Sequence, residues 1–143
     1  MSTDTVQLDR PTASHAPGRN LRRSWGAVTA LLVAAIFIQA VFAGAMLSGA
    51  DWARAAHRAA AMLLIAGAAA AGLVALVTLR RIPHGARLGL TLLALAGALF
   101  LQAAVGALST KGANLLWIHV PLGVALVGFA AQAAVGARRL GQG

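Results

Sequence analysis

From Trp25 to Leu47 the chain runs without a charged side chain, and three more long apolar runs follow, over 52–79, 86–108 and 114–137. As a helix rising ~1.5 Å per residue, each is long enough to cross the ~30 Å hydrocarbon core of a bilayer. Only 10% of the 143 residues are charged and 59% are hydrophobic, whereas a soluble domain carries about 25% charged residues. Mean hydropathy is +0.78. Such a chain has too few charges to cover a water-facing surface. The expected class is an all-α integral membrane four-helix bundle with no separate soluble domain.

Residues 1–23 are polar, with Pro11, Pro17 and Gly18, and read as a disordered cytoplasmic tail. They do not read as a signal peptide, because the segment is long, holds two acidic residues and precedes a run long enough to span. The four-helix domain is expected over 24–139. Arg80-Arg81-Ile82-Pro83-His84-Gly85 ends the second span and turns the chain. Asp51 and Asn114 are the expected N-caps of the second and fourth helices, since their side-chain oxygens can accept from free backbone N–H groups.

The formal net charge of +9 is distributed at the ends of the runs. Arg10, Arg19, Arg22 and Arg23 precede the first span. Arg80, Arg81 and Arg87 lie between the second and third, and Arg138 and Arg139 follow the fourth. The other two connections hold Lys111, and Arg54 beside Asp51. By the positive-inside rule both termini are cytoplasmic and the first and third loops face outward, as in a multi-pass protein of a bacterial inner (plasma) membrane. With no Tyr and three Trp, the basic residues lack the interleaved aromatics of a nucleic-acid surface, so no nucleic-acid partner is expected. Trp52 and Trp117 read as an outer aromatic belt and Trp25 as its inner counterpart.

Two histidines interrupt this pattern. His57 lies six residues after Asp51 and His119 five after Asn114. Both therefore enter from the outer side to roughly 8–9 Å below the start of their helices. The chain also repeats itself. Gln39, Gly44 and Ser48 precede His57 as Gln102, Gly106 and Ser109 precede His119. Each half is an outgoing helix with a Gln and a Gly, a short loop, and a returning helix with a His. Two hairpins in the same orientation are related by an axis along the membrane normal. A ligand on that axis would meet His57 from one side and His119 from the other.

Ionisable side chains within a span are functional candidates. Among histidines and carboxylates these two are the only ones at depth, since Glu is absent and all three Asp lie outside the runs. The structural alternative is a neutral His bonded to a nearby carbonyl or Gln. Zinc or copper would call for further ligands, and Cys is absent; Met46 and Met62 are more simply apolar filler. Haem needs two axial ligands, is largely apolar and fits the interior of a bundle. The absence of Cys excludes covalent attachment, leaving a non-covalent haem with bis-His ligation, a state suited to electron transfer. Arg58, Arg54 and Lys111, in that order, are candidates for the propionates, against ordinary interfacial snorkelling. Trp117 is a candidate to pack on the porphyrin edge. Gly44 and Gly106 are candidates for close porphyrin approach, against plain helix packing. His84 and His15 fall in aqueous segments.

His57-Arg58, Leu101-Gln102 with Gly106-Ala107-Leu108, and His119, 62 residues after His57, together resemble the haem A synthase family. That family consists of two four-helix halves, each with its haem-ligand histidines on the second and fourth helices. The chain resembles one half over about residues 25–139. The resemblance implies the fold and a haem b site. In the family a Glu stands one turn before the His-Arg pair, where this chain has Arg54, and the outer-loop Cys pair of many members is absent. The carboxylate implicated in the family's chemistry is thus missing, and no catalytic residue is assigned. Three functions follow. The first is a b-type cytochrome passing single electrons near the outer face, with membrane lipid around it and a quinol or another redox protein as partner. The second is a homodimeric haem-modifying enzyme, an oxidoreductase carrying haem O or haem A. The third is a haem-free membrane scaffold.

Overall fold

The computed structural model describes residues 17–142. They form four helices: α1 (Pro17–Leu47), α2 (Asp51–Thr78), α3 (Gly85–Ser109) and α4 (Leu116–Arg138). All four are long and apolar enough to cross a membrane. The shortest, α4, has 23 residues, roughly 35 Å at the helical rise. Large apolar side chains stand exposed on every helix, among them Leu31, Leu63, Phe100 and Val124. A surface of this kind is matched by lipid rather than water.

Each helix packs against its neighbour in sequence, and α1 packs against α4, closing a ring in which α2–α3 is the most extensive interface. In the diagonal pairs α1–α3 and α2–α4 no two Cα atoms of the described residues come within 8 Å. Short connections make neighbours antiparallel. One end of the bundle therefore carries the 48–50 and 110–115 connections, and the other carries the 79–84 turn, the start of α1 and the C-terminus.

The second end is the packed one. The buried cluster consists of Trp25, Leu32 and Ile36 of α1, Leu64, Ala68 and Ala75 of α2, Leu88, Leu92, Leu95, Ala96 and Leu99 of α3, and Leu126, Ala130, Ala133 and Ala137 of α4, with Leu79 and Leu140 beyond them. Glycine sets the closest approach. A Cβ at Gly72 would come within 2.9 Å of the Leu93 backbone nitrogen, and one at Gly89 within 2.9 Å of that of Leu76. The two helices thus each place a leucine over the other's glycine, the small-residue packing that replaces hydrophobic drive in membranes. The turn is tight as well. His84 takes a left-handed conformation (φ 63°), and a Cβ on Gly85 would overlap the Leu79 carbonyl. Arg22 donates to Leu140 O at 3.4 Å, and Gly141 N to Pro83 O at 3.3 Å, tying the C-terminus to α1 and to the turn.

Several sequence expectations are corrected. Helix α1 begins at Pro17, so residues 17–23 of the segment read as disordered tail are helical. Proline is tolerated in a first turn, and nothing between it and Trp25 breaks a helix. Residues 1–16, with Arg10 and His15, lie outside the described residues. The packed unit also reaches past 139, because Leu140 is fully buried. Asp51 is the first residue of α2 rather than its cap; Ala50 holds the cap position, and no side chain bonds there. Asn114 is likewise not a cap: α4 starts at Leu116 with Leu115 before it, again without a side-chain bond. Trp25 is 9% exposed and belongs to the core, so it is no belt residue. Trp52 and Trp117 are exposed, and the Trp52 ring stands edge-on to Phe42 at 6.1 Å.

Candidate functional site

The end opposite the core is built differently. From Phe37 to Met62 along α1 and α2, Ala53 alone is buried, and from Phe100 to Ala125 no residue is. This end holds both histidines, on the diagonal helices α2 and α4.

Two glutamines hold the histidine segments in register. Gln39 of α1 donates through Nε2 to the His57 carbonyl at 3.1 Å. Gln102 of α3 donates through Nε2 to the His119 carbonyl at 2.7 Å. The same bond thus joins the outgoing and returning helix of each hairpin. Each donor is fixed as Nε2, because a carbonyl can only accept. The Oε1 atom of both glutamines is buried without a partner.

These bonds, not helix caps, match the histidines. Counted from the helix starts, His57 is the seventh residue of α2 and His119 the fourth of α4. Counted on the outgoing helices, Gln39 lies eight residues before the end of α1 and Gln102 seven before the end of α3. The longer 110–115 connection delays the start of α4, and the glutamine restores the match.

The two rings are held differently. His57 Nδ1 lies 3.2 Å from the Gln39 carbonyl oxygen. Since that oxygen only accepts, Nδ1 carries the proton, which leaves the lone pair of a neutral imidazole on Nε2. His119 makes no such bond, and its Nδ1 is buried without a partner. Its ring lies on Gly106 instead: a Cβ there would stand 2.7 Å from Cε1 and 3.3 Å from Nδ1.

Gly44 differs from Gly106, because a Cβ there would meet nothing within 4 Å. The cause is one residue of spacing. Gly106 follows Gln102 by four positions, while Gly44 follows Gln39 by five. In a helix the extra residue turns Gly44 about 100° away, so the position equivalent to Gly106 is the half-buried Ala43.

Arg54, Arg58, Lys111 and Trp117 are exposed at the same end, and Met62 lies on the surface. Gly123 was not singled out from sequence. A Cβ there would stand 3.1 Å from Gln102 Nε2, so its lack of a side chain gives the amide room to reach α4. Its place four residues after His119, on the same helix face, is the signal that marks it.

Among the described residues no three His, Asp or Glu side chains gather into one group. The donor set is two imidazoles, one with Nε2 free and one with a buried, unpartnered nitrogen. That set fits a centre needing two axial nitrogen ligands. A His ligand commonly donates its other ring N–H to a carbonyl, as His57 does to Gln39. Comparison with protein-family models, with curated proteins and with solved structures found none that matches this chain.

Proposed function

We propose that the protein is a b-type cytochrome of the membrane, in which His57 and His119 are the axial ligands of one haem b. When bound, the haem supplies a one-electron redox centre. The chain's own residues orient it. Gln39 and Gln102 fix the two histidine backbones, the Gln39 carbonyl fixes the His57 tautomer, and Gly106 seats the His119 ring. Arg58, Arg54 and Lys111 are the cations available to propionates. The proposed setting is a bacterial inner membrane with both termini cytoplasmic and the histidine end outside. A quinol or another redox protein is the proposed partner.

One observation carries the reading. The paired Gln-to-His-carbonyl bonds hold two imidazoles at one end of diagonal helices, and the buried Nδ1 of His119 is left without a partner. A purely structural pair would be expected to have its buried nitrogens bonded. His57→Ala and His119→Ala, each purified from haem-replete cells, test it. Each is expected to lose most of the low-spin Soret and α-band absorbance while keeping its helicity. Unchanged spectra in both variants would refute the ligand assignment. The extracted pigment separates the enzymatic alternative: haem b agrees with the cytochrome, and haem O or haem A would transfer the assignment to a haem-modifying enzyme.

A further inference from the structure

Two surface features unrelated to the histidines meet near the C-terminal end of α4. The first is an apolar groove of about 660 Å³ between α1 and α4, floored by Ala30, Ala34 and Ala131, with Val127 towards one end and Arg138 at the other. The alanines make it a groove, since larger side chains would fill it. Arg138 lies eleven positions after Val127, roughly 16 Å along the helix. That is about half of the ~30 Å hydrocarbon thickness, or one leaflet. The second is a smaller polar hollow of about 100 Å³ between α3 and α4, lined by His84, Arg87, Gln132 and Arg139. Val135 lines both and forms the wall between them.

The charges at this end are of one sign. Arg87, Arg138 and Arg139 are exposed, and the single acidic side chain among the described residues, Asp51, begins α2 at the opposite end. We propose that this surface binds an anionic phospholipid. One acyl chain lies in the α1–α4 groove, and the phosphate sits at Arg138 and Arg139, with the hollow beside it receiving the headgroup. Length and charge select this occupant. A helix from a second copy would call for a groove running the full span, whereas this one covers a leaflet and ends in guanidinium groups that pair with phosphate. The inference rests on the spanning helices and not on the histidine pair.

The test uses the full chain in mild detergent, titrated with phosphatidylglycerol or phosphatidylethanolamine, with bound lipid counted by native mass spectrometry. Retention of phosphatidylglycerol is expected to exceed that of phosphatidylethanolamine on the order of tenfold, the scale set by two arginines at a charged lipid surface. The double variant Arg138→Ala/Arg139→Ala removes the phosphate partners, and Ala131→Phe fills the groove from an exposed position. Each is expected to bring phosphatidylglycerol down to the phosphatidylethanolamine level with helicity unchanged. Equal retention of the two lipids by the unaltered protein overturns the proposal. So does full retention by Ala131→Phe, which would mean diffuse charge attraction. Displacement by glycerol phosphate at equal concentration would identify a soluble phosphate as the ligand and also overturn it. A dimer that Ala131→Phe dissociates, without selective lipid retention, would assign the groove to a second copy instead.

Discussion

An alanine at position 106 would press its Cβ to 2.7 Å from His119 Cε1, whereas an alanine at 44 would meet nothing. The two glycines look equivalent in sequence, yet their substitutions should differ sharply. Gly106→Ala must displace the His119 ring, and a several-fold loss of low-spin haem per chain is expected. Gly44→Ala should leave the haem spectrum as it was. Optical spectra of the two purified variants check the pair, and equal effects would contradict the seating of His119 on α3. At this scale the sequence is partly readable. Gln39, Gln102, His57 and His119 stand out because polar side chains in apolar runs are rare. Gly44 and Gly106 differ because one added residue, unremarkable in an Ala-rich stretch, turns Gly44 about 100° from the face that Gly106 occupies. The hydrogen bonds themselves are not written in the residue types, since a Gln can bond its own helix or a neighbour.

The helices are readable from the apolar runs and the arginines that bound them, but their exact starts are not. Caps at α2 and α4 are backbone events at Ala50 and Leu115, so Asp51 and Asn114 point to the right place by composition and the wrong residue by geometry. The α2–α3 interface is also hidden in sequence. Gly72 and Gly89 sit among many small residues, and only packing reveals that Leu93 and Leu76 lie over them. Overpacking a tight contact costs about 1–3 kcal/mol. Gly72→Val and Gly89→Val should therefore each destabilise the bundle by about that amount. The same change at Gly67 or Gly97, where a Cβ meets nothing within 4 Å, should cost much less. Thermal unfolding in detergent measures this, and equal losses at all four positions would contradict the close α2–α3 approach.

Over the whole molecule the two ends divide the work. The end with the core, the tight turn and the C-terminal ties gives the bundle its rigidity, and the other carries the imidazoles among half-buried and exposed residues. The proposed topology puts the rigid end in the cytoplasm. The sequence contains no cysteine, so single-cysteine labelling in intact cells is direct. Ser48→Cys and Lys111→Cys should react with an impermeant maleimide from outside, and His84→Cys only after the membrane is opened; the reverse pattern would invert the topology. The proposed haem lies between His57 and His119. The most direct measurement is the reduced-minus-oxidised spectrum of the unaltered protein purified from haem-replete cells, with haem counted per chain. A low-spin b-type spectrum with one haem per chain is expected. A protein that is folded and helical but shows no Soret or α band would contradict it.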